Sequence, residues 1–326
     1  MALRASAIGL SLLFSAAAAP ALAVVGGAPV RDVGGARSWT VKVETSRGEL
    51  CSGAAIAPDL VLTAAHCLMG GGAVRVSSLD PRFRERRHPV AAVITHPSFV
   101  PGTTPRTQPG TDLAMLRLEA PFPGDMSPLT LGESLGQGET VTMAGYGLSA
   151  ENNSRTARRL RQVQLVNAGN YTTQNTVKVA VDIRRRGEAP GAGACRGDSG
   201  GPVLRGGGQN RDLGGIVSWS SGPLTSRVRQ ICGGFTAITP IAEHRAWISQ
   251  IALALTAEPQ APVVIQRAPP AARYSGWFSR SSIGMPHFLH ANRYPLRSKM
   301  LSAQAANFSP LIAAKSCTPP PTRLVV

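Results

Sequence analysis

The sequence predicts an all-β fold built from many short strands, with a single helix near the end of the folded region. Two observations support this prediction. The 326-residue chain contains 35 glycines and 26 prolines, which favour frequent turns over long helices. Short runs rich in Val, Ile and Thr alternate with turn residues from about residue 24 to residue 240. Strands at this spacing are typical of β-barrels or β-sandwiches.

The strand-like runs fall into two groups. The first group extends from Val24 to about Leu118 and includes SWTVKVET and DLAMLRLE, and the second begins at Val141 with VTMAGYG. Between the groups, Pro121–Gly138 has the composition of a linker. Pro240–Leu255 has helical periodicity. The residues that share its apolar face are Ile241, Ala242, Trp247, Ile248, Ile251 and Leu255.

Residues 1–23 have the features of a signal peptide. A basic start is followed by a small apolar run and by Ala21-Leu22-Ala23, the small-x-small pattern that signal peptidase cleaves. The apolar run is shorter than the roughly 20 residues that a membrane-spanning helix needs, so a retained anchor is the less favoured alternative. We therefore expect a secreted, extracellular or periplasmic protein without a transmembrane segment after signal removal.

The last part of the chain differs in character from the rest. Residues 256–326 are rich in proline, and eight Lys or Arg residues but one acidic residue lie within 252–326. The tail shows neither helical nor strand periodicity, so we predict that it is poorly ordered. A small module that folds only on a partner is the alternative.

The formal net charge of +16 predicts non-specific attraction to anionic polymers or membranes, with the basic tail as a contributor. No zinc-ligand cluster or aromatic RNA-binding signature accompanies the charge, so we expect no specific nucleic-acid partner. Export permits disulfides. The five cysteines allow two pairs with one left over, and spacing alone leaves their connectivity open. They are Cys51, Cys67, Cys195, Cys232 and Cys317.

Three polar residues lie in contexts that favour acyl transfer, which requires a nucleophile, a base, an acid that orients the base, and oxyanion donors. His66 ends an apolar run in LTAAHC. Asp112 precedes an apolar strand in TDLAML, where a buried carboxylate would need a partner such as an imidazole. Ser199 lies among glycines in GDSGG, where the amides of Gly197 and Ser199 are candidate oxyanion donors.

The order of these residues, in the words TAAHC, DLAML and GDSGGP, resembles the chymotrypsin/trypsin family of serine endopeptidases over roughly residues 24–250. The resemblance implies two antiparallel six-stranded Greek-key β-barrels, at about 24–122 and 138–239, and a C-terminal helix at about 240–255. It implies a protease domain at 24–251 with the triad His66, Asp112 and Ser199 in the cleft between the barrels. Protein or peptide substrates are implied, and no metal or organic cofactor.

The same stretch offers a competing interpretation, because Arg196-Gly197-Asp198 is a tripeptide that adhesion receptors recognise on exposed loops. The family resemblance instead implies that Asp198 is buried and pairs with the freed α-amino group of Val24, in the sequence Val24-Val25-Gly26-Gly27. Since Ala23 is also the predicted signal cleavage point, one cut would export and activate the protein.

The resemblance also implies two disulfides and a specificity pocket. It pairs Cys51 with Cys67 and Cys195 with Cys232, and leaves Cys317 without a partner. Gly193 lies six residues before Ser199, where trypsin-like specificity would require an aspartate to bind Arg or Lys. Since Gly193, Ala194 and Gly233 are uncharged, we expect a preference for apolar or small side chains over Arg and Lys.

The segment Ser218-Trp219-Ser220 resembles the family's substrate-pairing strand, with Ser218 bracing Asp112 and Ser220 narrowing the pocket. Arg196 would lie at the pocket rim, either as a solvated charge or as a contact for acidic substrate residues. Two rival functions remain. One is a catalytically silent binding protein on the same fold, and the other is a protein that binds surfaces through its basic tail.

Overall fold

The computed structural model describes residues 24–32, 34–184, 191–207, 210–223 and 230–257. The predicted signal peptide, nearly all of the predicted tail, and Cys317 lie outside these described residues. Within the described ranges, no helix has both the length and the apolar composition needed to cross a bilayer.

The described chain is mostly β-structure, which confirms the predicted fold class. The one α-helix among these residues is α1 (Arg245–Ala257), and short 3-10 turns occur at Ala36–Ser38, Ala65–Leu68, Ser154–Thr156 and Ala242–His244. The strands are β1 (Ala28–Pro29), β2 (Thr40–Thr45), β3 (Leu50–Ala57), β4 (Leu60–Thr63), β5 (Val74–Leu79), β6 (Glu85–Thr95), β7 (Ala114–Leu118), β8 (Thr130–Leu131), β9 (Thr140–Gly145), β10 (Arg161–Thr172), β11 (Thr176–Val181), β12 (Pro202–Gly207), β13 (Asn210–Ser221) and β14 (Phe235–Pro240).

The strands form two closed six-stranded antiparallel barrels. The first barrel follows the order β2-β3-β4-β7-β6-β5, and the second follows β9-β10-β11-β14-β13-β12. The second ring closes because β9 pairs with both β10 and β12. Both barrels therefore share the Greek-key order in which the third strand pairs with the sixth, as the family resemblance implied. Strand β1 extends the second barrel beside β10, and β8 pairs in parallel with β13.

Strand β4 packs against both barrels, because its side chains alternate between two faces. All four of its residues are buried. Val61 packs with Val41 and Val76 in the core of the first barrel. Leu60 and Leu62 point to the opposite face and belong to a cluster that includes second-barrel residues. Burial of each such leucine contributes about 1.5–3 kcal/mol to the stability of the fold. Apolar packing therefore stabilises the base of the cleft between the barrels.

Two boundaries differ from the sequence prediction. Helix α1 begins at Arg245 instead of near residue 240, because β14 continues to Pro240 and a 3-10 turn follows. The helix face is as predicted, since Ile248 and Leu255 are buried in the cluster that contains Leu62. The predicted linker is also packed against the barrels, because its β8 pairs with Asp212 and Leu213.

Candidate active site

His66 and Asp112 are brought together by two neighbouring strands. His66 lies in the 3-10 turn that follows β4, and Asp112 lies two residues before β7, which pairs with β4 through Thr63 and Ala114. Asp112 Oδ2 lies 2.8 Å from His66 Nδ1, and Asp112 Oδ1 accepts the His66 backbone N–H at 2.9 Å. The carboxylate therefore fixes both the ring and the backbone of the histidine.

Ser218 completes the surroundings of Asp112. Its hydroxyl donates to Asp112 Oδ2 at 2.5 Å. Burial raises the pKa of Asp112, but the electrostatic interaction with His66 and the hydrogen bonds from His66 and Ser218 outweigh this effect, so the net pKa lies below its ordinary value. Asp112 therefore remains ionised, and an ionised acceptor at Nδ1 directs His66 Nε2 to act as the base.

Ser199 lies on the loop between Cys195 and β12, and its side chain is half-buried. Its Oγ donates to the backbone carbonyl of Ser218 at 3.3 Å. Ser218 thus contacts the acid through its hydroxyl and the nucleophile through its carbonyl. In the described part of the chain, Ser199 Oγ makes no hydrogen bond to His66. Such bonds are often loose before substrate binds.

The loop around Ser199 requires its glycines. Gly197 and Gly200 adopt φ values of +95° and +80°, a region that favours glycine. A Cβ on Gly200 would also collide with the carbonyl of Ser52. The Ser52 hydroxyl and N–H bind the carbonyls of Gly197 and Ser199, each at 2.8 Å. Among the described residues, no acceptor contacts the N–H groups of Gly197 and Ser199, so both amides can serve an oxyanion.

Asp198 is fully buried, which excludes display of the Arg-Gly-Asp tripeptide to a receptor. Its Oδ1 accepts the Gly147 N–H at 2.8 Å, and its Oδ2 accepts the Cys195 N–H at 2.9 Å. Burial raises the pKa of Asp198 to about 7 despite these hydrogen bonds. Val24 is also fully buried, in a cluster with Met143 and Ala194. The start of the predicted mature chain and Asp198 are therefore both enclosed.

Three of the predicted pocket residues, Gly193, Ala194 and Gly233, lie near one another. Gly193 donates its N–H to Val25 O at 2.9 Å. A Cβ on Gly193 would lie 4.0 Å from Gly233 Cα and 3.3 Å from Thr236 Oγ1. Thr236 is fully buried and accepts the Ala194 N–H at 2.9 Å. Thr236 was not among the residues predicted from the sequence, although its place in the alternating run FTAITP predicts an inward orientation.

The strand beside Ser199 carries a further contact that the sequence did not indicate. Arg106 donates from Nη2 to Ser220 O at 2.7 Å, and its guanidinium lies 5.0 Å from the ring centre of Trp219. Arg106 comes from a loop of the first barrel, so this contact joins the barrels across the cleft. Arg196 is exposed, as expected for a residue at a rim.

Two disulfides hold the loops that carry these residues. Cys51 pairs with Cys67, next to His66, and Cys195 pairs with Cys232. Cys51, His66 and Cys67 are the cluster of potential metal ligands among the described residues. Because both thiols are in a disulfide, they offer no thiolate ligand to a metal.

Comparisons with known proteins agree with this fold. The family model for trypsin matches residues 24–248. Trypsin iota of Drosophila melanogaster is 28% identical over 191 residues, which cover 56% of this chain and 72% of that protein. Trypsin delta of Drosophila erecta is 27% identical over 220 residues, which cover 64% of this chain and 81% of that protein.

Solved structures share the fold at lower identity. Neuropsin, a serine protease expressed in the limbic system of mouse brain, superposes with a TM-score of 0.55 at 23% identity. The match covers 70% of this chain and 99% of neuropsin. Human heparin binding protein superposes with a TM-score of 0.57, also at 23% identity, over 73% of this chain and all of that structure.

Proposed function

The chain belongs to the trypsin family, and on that premise we propose that it is a secreted serine endopeptidase that cleaves peptide bonds through an acyl-enzyme. The observation that carries the proposal is the contact between Asp112 and His66, at 2.8 Å, beside a serine held among glycines. Ser199 Oγ attacks the scissile carbonyl, and His66 Nε2 takes the proton that Ser199 releases.

The remaining steps use the same groups. The oxyanion of the tetrahedral intermediate accepts the N–H groups of Gly197 and Ser199. Protonated His66 is stabilised by Asp112 and gives its proton to the leaving amine. Water then attacks the acyl-enzyme with His66 acting again as the base, which releases the acid product and restores Ser199.

We propose that the pocket accepts small or apolar side chains. The uncharged Gly193 and Ala194 offer no partner to Arg or Lys, and Thr236 presents its hydroxyl 3.3 Å from where a Gly193 Cβ would lie. Thr236→Gly is expected to shift cleavage towards larger apolar residues, measured on a peptide library against the parent enzyme. Preferential cleavage after Arg would contradict the pocket assignment.

Activation is proposed to follow directly from export. Signal cleavage after Ala23 would free the α-amino group of Val24. The residue Val24 is buried on the second barrel with Ala194. An ammonium group there would pair with Asp198 and stabilise the loop that carries Ser199. N-terminal sequencing of the secreted protein is expected to begin at Val24, and any other start would contradict direct activation by signal cleavage.

Covalent labelling tests the central proposal. The secreted protein is treated with a fluorophosphonate probe at neutral pH, and the adduct is located by peptide mass spectrometry. We expect an adduct on Ser199 and none in Ser199→Ala. The matched control is Ser154→Ala, which removes an exposed serine and should label like the parent.

A second candidate function is a catalytically silent binding protein. The net charge of +16 and the fold shared with a protein named for heparin binding favour it. Protein that starts at Val24, remains folded and takes no label on Ser199 would support this candidate over the peptidase.

A further inference from the structure

Arg161 is a buried arginine with two unpaired nitrogens. The residue is 5% exposed, and its Nε and Nη1 are both buried without a hydrogen-bond partner among the described residues. Buried guanidinium groups are normally paired, because an unpaired charge in the interior is costly. Arg161 is therefore the strongest unexplained feature outside the triad.

Strand register directs this side chain towards Asp198. Arg161 begins β10 and lies opposite Gly145 of β9. In an antiparallel pair, directly opposite residues point to the same face of the sheet. A Cβ on Gly145 would collide with Asp198 Oδ1. The side chain of Arg161 thus leaves its strand on the face where the Asp198 carboxylate lies.

The charges in this region are complementary. Among the described residues, Arg161 is the charged group that acts on Asp198, and it lowers the pKa of that carboxyl against the effect of burial. The other contacts of the Asp198 oxygens are the neutral N–H groups of Gly147 and Cys195. Arg161 Nε and Nη1 are donors that can serve the carboxylate through one water.

We propose that Arg161 is a built-in counter-ion of Asp198, which holds the Ser199 loop in its assembled geometry before the α-amino group of Val24 is freed. This inference rests on the proposed peptidase function. Arg161 is a positioning residue, because it acts on the nucleophile through Asp198. The consequence is that the uncut chain has part of the activity of the cut form, because Arg161 supplies one cation near Asp198 and the cut before Val24 supplies a second.

The test compares two forms of the full chain. In the free form the protein starts at Val24, and in the extended form a short segment remains attached before Val24. Each form is made with Arg161, Arg161→Gln and Arg161→Lys. Arg159→Gln is the matched control, because it removes an exposed arginine two residues away and makes the same change in charge.

The first readout is the rate at which a fluorophosphonate labels Ser199. In the extended form, Arg161→Gln is expected to slow labelling roughly 10–100-fold, the range for losing a charged hydrogen bond. Arg161→Lys should retain most of the rate, and Arg159→Gln should match the parent. In the free form, Arg161→Gln should have a much smaller effect, because the Val24 ammonium replaces the lost charge.

The second readout is independent of catalysis. The pKa of the Asp198 carboxyl is followed by ¹³C NMR in the extended form carrying Ser199→Ala. Arg161→Gln should raise this pKa, and Arg159→Gln should leave it in place. Equal effects of the two substitutions, or no effect of Arg161→Gln, would overturn the counter-ion role. Failure of the free parent form to label would instead refute the peptidase proposal, and the NMR result would still decide the role of Arg161.

Discussion

Two aspartates within the same cleft region are equally buried but held in different ways. Asp112 and Asp198 are 1% and 0% exposed. Asp112 is held mainly by two side chains, the imidazole of His66 and the hydroxyl of Ser218. Asp198 is held by two backbone N–H groups. Burial raises the pKa of both carboxyls, and the net pKa falls below the ordinary value only for Asp112.

The difference shows what directly contacting side chains do for a buried carboxylate. Two neutral N–H groups and the more distant charge of Arg161 favour the ionised form of Asp198, but its pKa remains at about 7. The imidazole of His66 and the hydroxyl of Ser218, both in direct contact, hold the pKa of Asp112 below its ordinary value. Asp112 is therefore suited to stabilise the positive charge that His66 acquires during catalysis. Asp198 is suited to respond when a cation arrives, which is the behaviour expected of an activation site.

Asp112→Asn should cause the largest change. Asparagine presents an amide that favours the wrong tautomer of His66, so we expect turnover to fall about 10⁴-fold. Steady-state kinetics on a peptide substrate measures this loss. A decrease smaller than tenfold would show that Asp112 does not orient the base.

Asp198→Asn provides the contrast in the free form that starts at Val24. It removes the charge that the α-amino group needs, so both activity and stability should fall, and the loss of stability should exceed that caused by Asp112→Asn. Urea unfolding of both variants separates the two cases. Equal losses of stability would break the comparison between the two aspartates.

The pH dependence of stability should also separate them, in the extended form carrying Ser199→Ala. The pKa of Asp198 is raised from 3.8 to about 7, so its contribution to stability is present below about pH 4 and is lost as the pH rises through 7. The full effect is roughly 4 kcal/mol. For Asp112 the pKa is lowered, so its contribution is present above pH 4 and is lost in stronger acid.

Urea unfolding between pH 4 and 8 measures this effect as the difference between the Asp198 and Asp198→Asn chains. The difference is needed because His88, His96 and His244 have pKa values lowered by burial and titrate with the opposite sign. Freeing the α-amino group of Val24 should weaken the dependence of this stability difference on pH, because an ammonium partner favours the ionised form of Asp198. An unchanged dependence would show that the α-amino group does not reach Asp198.

The fold and the central residues were predictable because their signals are contiguous in the sequence. TAAHC, DLAML and GDSGGP each place one triad residue in a short word with a distinctive neighbourhood. Thr236 and Arg161 were not found, because their importance depends on strand pairing across many residues. Arg161 lies opposite Gly145, and that register became visible only once β9 and β10 were paired. The helix start was misplaced because Pro240 ends a strand.

Ser218→Ala should weaken the stabilisation of the Asp112 carboxylate while leaving that residue in place. The substitution deletes the 2.5 Å hydrogen bond to Oδ2 and leaves the carbonyl that contacts Ser199. The pKa of Asp112 should rise, and turnover should fall roughly tenfold, the lower end for a hydrogen bond to a charged group. The matched control is Ser78→Ala, which removes another buried hydroxyl that bonds a histidine away from the cleft. A pH–rate profile identical to that of the parent would contradict the bracing role.

Gly145→Ala tests the site of Asp198, whose carboxylate is held by two backbone N–H groups. The added methyl group would meet Asp198 Oδ1, so the carboxylate must shift away from the Gly147 N–H that binds it. Overpacking of this kind typically costs about 1–3 kcal/mol. Gly124→Ala is the control, because nothing lies within 4 Å of its added methyl group. We expect Gly145→Ala to lower the urea midpoint and to slow labelling of Ser199. The contact through which Asp112 orients His66 should be unchanged. If Gly145→Ala left labelling unchanged, the position of Asp198 would not control the Ser199 loop, and the two aspartates would differ in environment but not in purpose.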